Sequence, residues 1–228
     1  MCLHFTRRAG GGIMEIKTVL FDLDGTLTDS GPGIIAGVQY ALKKYGMEVD
    51  DISSLRCFIG PPLKEQFIKF CGFSEEEGAR AVEHYREYYR DRGIFENEVY
   101  EGVPELLREL KDAGLTVIMA TSKPETFAVT IAEHFEISLY FDFIGGSLMD
   151  GRRTKKSEVI EYVLEGAGVT DRSTVLMIGD RDYDILGAKE AGVHSMGVLY
   201  GYGPREELEA AGADFLVERP EDALAYIL

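Results

Sequence analysis

Cysteine is scarce in this 228-residue sequence: Cys2, Cys57 and Cys71 are the full complement, and no two stand as a C-x-x-C pair. An odd count without paired spacing argues against a disulfide framework and favours a reducing compartment, so a cytoplasmic location is expected. Positive charge is also short, with 24 Lys and Arg against 40 Asp and Glu, a formal net charge of −16. That balance argues against a nucleic-acid partner, which needs a basic face. It also means that an anionic substrate must be drawn in by a local cation or a metal, against the overall field. No run approaches the ~18 consecutive apolar residues of a membrane span, so no membrane partner is expected. Residues 1–13 lack the apolar core of a signal peptide. With Arg7, Arg8 and Gly10-Gly11-Gly12, they read as a disordered leader ahead of a fold that begins near Met14. Nothing in the sequence separates a monomer from a homodimer.

Several catalytic signatures are missing as well. The histidines His4, His84, His134 and His194 are scattered, with no H-x₃-H pair for zinc. There is no Walker A sequence. Gly145-Gly146-Ser147-Leu148-Met149 fails G-x-S-x-G at its last position. Cys2 and Arg8 have the C-x₅-R spacing of cysteine phosphatases, but no strand precedes Cys2 and no glycine exposes backbone donors between them. Tyr85, Tyr88 and Tyr89, at helical spacing, read as packing residues rather than a base-stacking platform.

What is present is an ordinary globular composition, 45% hydrophobic and 28% charged, organised in a clear rhythm. Near-continuous apolar runs at Thr18–Phe21, Leu115–Ala120, Phe141–Ile144 and Val175–Ile178 suit strands buried on both faces, with shorter candidates at Ser195–Val198 and Phe215–Val217. Helical patterns lie between them: Pro104–Ala113, Phe127–Phe135, Ser157–Glu165 and Asp182–Ala191. Pro104 stands at a first turn, and Gly114 and Gly192 act as stops. The alternation predicts an α/β protein with a Rossmann-like parallel sheet. Residues 31–100 break the rhythm with helical patterns at Ile34–Tyr45, Pro62–Phe70 and Glu75–Arg92 and no convincing strand. This predicts an inserted all-helical cap domain over 31–100, hinged at Gly31-Pro32-Gly33 and Glu101-Gly102, on a core made of 14–30 and 101–228.

The first strand ends at Asp22, with Asp24 two residues on. Side chains at i and i+2 of an extended segment point the same way, so the two carboxylates are expected to converge on one space. Like charges that close are costly unless a cation lies between them or one is protonated. Mg²⁺, which prefers hard oxygen ligands, would resolve that conflict. Alone, the pair reads equally well as a capped turn. Ligands of open α/β sheets bind at the carboxyl ends of the strands, however, and the neighbouring strand ends supply Thr121-Ser122 and Gly179-Asp180, with Asp184 a helical turn further on. Lys155-Lys156 precede a helix at the same edge. At least three acids, a hydroxyl and a lysine at one sheet edge suit phosphate ester hydrolysis. A carboxylate nucleophile splits the reaction into two steps, a second carboxyl moves the proton, and cations cover the phosphoryl oxygens.

In this set the sequence resembles the haloacid dehalogenase-like superfamily, in its phosphatase branch. Its first motif is similar to Asp22-Leu23-Asp24-Gly25-Thr26, its second to Thr121, its third to Lys156 and its fourth to Gly179-Asp180 with Asp184. The resemblance implies that Asp22 is the nucleophile and Asp24 the general acid and base. It implies that Thr121, Ser122, Lys156 and Gly25 bind phosphate. Mg²⁺ would be held by the Asp22 and Asp180 carboxylates and the Asp24 main-chain carbonyl, with Asp184 supporting from behind. The founding dehalogenases lack the second aspartate and need no metal, so Asp24 favours phosphoryl chemistry. The helical insert is similar to the cap of the phosphoglycolate phosphatase-like group, whose cap loop Phe58-Ile59-Gly60-Pro61-Pro62-Leu63 resembles. Gly60 would thereby offer backbone donors to an anion. Two departures stand out: Thr154-Lys155-Lys156-Ser157 replaces a Lys-Pro pair and leaves either lysine as the ligand, and Arg181 stands where Ser or Thr is common. The Arg variant resembles a 5′-nucleotidase-like or phosphoglycolate phosphatase-like subgroup. The expected function is a Mg²⁺-dependent phosphatase for a small soluble phosphomonoester. A sugar-phosphate mutase, a pyrophosphatase and a non-catalytic phosphate-binding regulator are the competing expectations.

Overall fold

The computed structural model describes residues 15–228, so the expected leader at 1–13 lies outside the described residues. In chain order the elements are β1 (Thr18–Phe21), β2 (Thr28–Asp29), α1 (Gly31–Lys44), α2 (Leu63–Cys71), α3 (Glu75–Tyr89), β3 (Glu98–Val99), α4 (Val103–Asp112), β4 (Thr116–Pro124), α5 (Glu125–His134) and β5 (Phe143–Ser147). They continue with α6 (Lys156–Gly166), β6 (Val175–Gly179), α7 (Asp182–Ala191), β7 (His194–Val198), α8 (Arg205–Ala211), β8 (Phe215–Val217) and the short α9 (Leu224–Ile227). Six strands form one parallel sheet in the order β5-β4-β1-β6-β7-β8. β1 lies inside it, with Phe21 paired to Met119 on one side and Ile178 on the other.

The strand period explains why β1 reads as a continuous apolar run. Val19, Phe21, Val117, Met119, Leu176 and Ile178 enter one core together with Leu106, Leu107 and Leu110 of α4 and Ile131 of α5. The alternate residues Leu20, Ile118, Ala120, Val175 and Met177 enter a second core against Val159, Ile160 and Val163 of α6 and Ala188 of α7. Both faces are covered, so neither set of side chains is polar. The predicted parallel α/β architecture is the observed one.

Between β2 and β3 every regular element is helical. α3 opens on a capping box in which Ser74 accepts from the Glu77 amide and the Glu77 carboxylate accepts from the Ser74 amide. α1 packs on α3, and Phe58 of the 3₁₀ turn Ile52–Phe58 meets Phe67 of α2 at 5.0 Å. Tyr89 joins this insert to the main core by packing on Phe127 of α5 at 5.6 Å. The sequence reading missed the antiparallel β2–β3 ribbon at the base of the insert, helices α8 and α9, and the run of β4 on to Pro124 past Thr121. The Gly31-Pro32-Gly33 stretch, read as a hinge, is the first turn of α1. There the Gly33 amide donates to the Glu96 carbonyl at 3.0 Å and a side chain would strike the Gly93 carbonyl, so glycine lets the insert's two ends cross closely.

Candidate functional site

Alternation along β1 delivers Asp22. Leu20 faces α6 and α7, and two residues later Asp22 points to the same side, where Lys156 begins α6 and Asp184 lies in the first turn of α7. The Lys156 ammonium stands 2.8 Å from Asp22 Oδ1 and 2.8 Å from Asp184 Oδ1. It also donates to the Ala120 carbonyl of β4 at 2.9 Å. Lys155 is exposed as the residue before α6, whereas Lys156 is buried beside Asp22 and Asp184. Asp184 Oδ2 accepts from the Arg181 amide at 3.1 Å, closing the N-terminus of α7. Asp180, at the end of β6, is fully buried; its Oδ2 accepts from the Tyr202 amide at 2.8 Å.

Asp22, Asp180 and Asp184 each offer a carboxylate oxygen within 4.8 Å of the others, and all three residues are buried. Burial, together with Asp184 and opposed by Lys156, pushes the Asp22 carboxyl up to about 6. Burial, then Asp184 and Asp22, push Asp180 well above the usual carboxylate range. Burial works against a charged Lys156, but Asp184 and Asp22 outweigh it and hold the ammonium above its usual range. One lysine among three carboxylates leaves negative charge in excess, and Asp180 Oδ1 is buried with no hydrogen-bond partner. A cluster of hard oxygens with an orphaned acceptor fits a divalent cation such as Mg²⁺. Glycines make the crowding tolerable: a side chain at Gly25 or Gly201 would strike Asp180, and one at Gly179 would strike Asp184.

Asp24 departs from expectation. β1 ends at Phe21, and Gly25 turns the chain at φ 81°, so the period of the strand no longer governs Asp24. Its carboxylate does not share the Asp22 cluster but takes both oxygens to Lys123 Nζ, at 2.8 and 2.9 Å. Lys123 is itself buried and lies over the Tyr89 ring at 4.8 Å. Burial opposes its charge, but Asp24 and Tyr89 hold its pKa above the usual range. A contribution of Asp24 to a metal would therefore come through its main chain, not its carboxylate.

Thr121 is buried in β4, and its hydroxyl accepts from the Lys123 amide at 3.2 Å. Ser122 and Gly60, the latter at φ 100°, line a cavity with Asp24 and Lys123. Sequence reasoning passed over three residues at this edge. Lys123 was hidden beside Thr121. Tyr202 has its hydroxyl on the Gly31 amide and Asp29. Arg181, noticed only as a motif variant, donates to the Ile59 carbonyl at 2.7 Å and pairs with Glu207 at 2.7 Å.

The family model described as haloacid dehalogenase-like hydrolase matches residues 19–198. A 5′-nucleotidase of Pseudomonas aeruginosa is 48% identical over 197 residues, which is 86% of this chain and 89% of that protein. The tyrosine-protein kinase PtkA of Mycobacterium tuberculosis is 36% identical over 86% of this chain and 67% of its own. A phosphoglycolate phosphatase of Vibrio parahaemolyticus is 31% identical over 93% of this chain and 96% of its own. Among solved structures, a predicted phosphatase from Clostridium acetobutylicum has a TM-score of 0.89 at 45% identity, covering 92% of this chain and 96% of that one. No described helix is long and apolar enough to cross a membrane.

Proposed function

Since this chain belongs to the haloacid dehalogenase-like hydrolases, we propose that it hydrolyses a small phosphomonoester through an aspartyl-phosphate on Asp22. The observation that carries the reading is the buried Asp22, Asp180 and Asp184 cluster, with its orphaned Asp180 oxygen, packed around Lys156. Asp22 and Asp180, with the Asp24 main-chain carbonyl, would hold Mg²⁺, and Asp184 would support them. A bound Mg²⁺ would neutralise the phosphoryl oxygens and lower the carboxylate repulsion at the nucleophile.

The chain's own groups then divide the work. An Asp22 oxygen attacks phosphorus and the ester P–O bond breaks. Asp24 gives its proton to the departing alkoxide, a role worth about 10²–10⁴-fold in typical enzymes. Water next attacks phosphorus, Asp24 takes the water's proton, and the Asp22 carboxylate is released with phosphate. Lys156 and the Thr121 hydroxyl face the transferring oxygens, with Ser122 and the Gly25 turn shaping the phosphate pocket. Asp24 is bonded to Lys123 here, so that pair must part before Asp24 can carry a proton. Residues 31–100 serve as a cap whose Gly60 loop faces the reacting centre, over a core of 14–30 and 101–228.

Relatives named for a nucleotide and for phosphoglycolate support a small soluble ester as substrate. The test is a panel of phosphomonoesters assayed for released phosphate with Mg²⁺ and with chelator. Metal-dependent release is expected. Undiminished release in chelator would sink the mechanism, and consumption of ester without free phosphate would point to transfer onto another acceptor.

A further inference from the structure

A cavity of about 420 Å³ opens beside Asp24, between α2 and α3 of the insert and the 147–154 segment of the core. Its lining omits Asp22 and Asp180 and includes Asp24, so it lies on the side of the site where a leaving group would receive its proton. Ile34, Phe58, Tyr85, Tyr89, Phe127 and Met149 belong to its apolar wall. Cavities of roughly 300–1,000 Å³ enclose ring-bearing ligands, and water's share of liquid volume is about 30 Å³. A glycolate unit would leave most of this space to water against aromatic walls.

The charges of the lining decide what kind of group it takes. Asp24, Glu83 and Asp150 match Lys64, Arg86 and Lys123 one for one. Each of those cations is already engaged. Lys64 pairs with Glu75 at 2.6 Å, Arg86 with Glu83 at 2.8 Å and with the Met149 carbonyl at 3.0 Å, and Lys123 with Asp24 at 2.8 Å. Among the described lining residues no cation is spare for a second anionic group on the substrate. Among the described lining residues the Tyr89 hydroxyl, on a residue 1% exposed, is a fully buried polar atom without a directed hydrogen bond, lying beside the Lys123 ammonium. A buried donor without a directed partner is costly, and its residue lines the cavity.

We propose that the phosphomonoester carries an uncharged, ring-bearing leaving group that fills this cavity, and that the Tyr89 hydroxyl is its hydrogen-bond contact. The inference rests on the phosphatase reading of the same site. It favours a nucleoside or aryl-bearing alcohol over a carboxylate-bearing one such as glycolate.

The experiment compares kcat/KM with Mg²⁺ for adenosine 5′-monophosphate, benzyl phosphate and phosphoglycolate, on the wild-type chain and on Tyr89→Phe. Both ring esters should exceed phosphoglycolate by about 10²-fold, the discrimination apolar pockets reach. Adenosine 5′-monophosphate ahead of benzyl phosphate identifies a nucleoside; the reverse order identifies an aryl alcohol. Either order supports the ring-bearing class. Tyr89→Phe keeps the ring and its packing while removing the hydroxyl. It should lower turnover of the hydroxyl-rich nucleotide about three- to tenfold, the worth of one hydrogen bond, and that of benzyl phosphate less. Phosphoglycolate turned over as well as the ring esters overturns the inference and leaves the phosphatase reading standing. Equal losses for both ring esters overturn the Tyr89 contact. No turnover of any ester overturns the phosphatase reading and this inference together.

Discussion

Asp22 sits in conflict with its surroundings, and the conflict has a measurable sign. Its carboxyl titrates near 3.8 in an unfolded chain and near 6 in the fold, chiefly because burial penalises the charged form. The folded state therefore holds a proton that the unfolded state has lost between those values. Stability from this group is fully present below about 3.8 and is lost as pH rises through about 6. Asp22→Asn removes the titration while keeping the shape. In metal-free protein it should gain stability relative to wild type as pH rises from about 4 to about 7, by an amount on the order of a few kcal/mol. Denaturant melts across that range check it; a constant difference between the two proteins would contradict the burial argument. The same variant should release no phosphate from any ester that the wild type hydrolyses, because its amide cannot form the phosphoenzyme.

Strand β4 shows how an element carries more than its motif. It runs on past Thr121 to Pro124, with a shift in register to β5 after Ala120, and that extension brings Lys123 under Tyr89 of α3. The Lys123–Asp24 pair is buried, with side chains 5% and 10% exposed. Removing one partner of such a pair leaves an uncompensated charge, so Lys123→Met should destabilise the fold by about 3–5 kcal/mol, and adding Asp24→Asn should recover much of it. A double-mutant cycle by urea melting reads this, and strictly additive losses would refute the coupling. Lys123 was illegible in the sequence because its partners arrive from the turn after β1 and from α3, far apart along the chain. The same holds for Asp24: its distance of two residues from Asp22 was visible, but the end of β1 at Phe21 was what freed its side chain to turn away. The parallel strands were legible because burial on both faces writes an unbroken apolar run, and Asp22, Asp180 and Thr121 were legible because they follow such runs. The two-residue β2 and β3 are too short to show any period. That Lys156 and not Lys155 is buried beside Asp22 depended on where α6 starts.

At the scale of the molecule, the insert and the sheet are fastened by few polar ties, and Arg181 makes one of them. It follows Asp180, reaches the Ile59 carbonyl beside Gly60 in the insert, and is braced from α8 by Glu207. Arg181→Ala should speed amide exchange across residues 59–63 and leave β1 and β6 protected; unchanged exchange there would show that the tie carries no load. The strand order has a consequence of another kind, in time rather than space. β1 and β6 are neighbours in the sheet but lie far apart along the chain, and parallel pairing between such distant segments closes late. Helices form locally and fast, whereas Asp180 joins Asp22 only when β6 docks on β1. During refolding, helical signal should therefore return before metal binding does. A chain stalled with β6 undocked would keep most of its helices and leave the proposed Mg²⁺ site unformed, because Asp180 and Asp184, which both follow β6, would still be apart from Asp22.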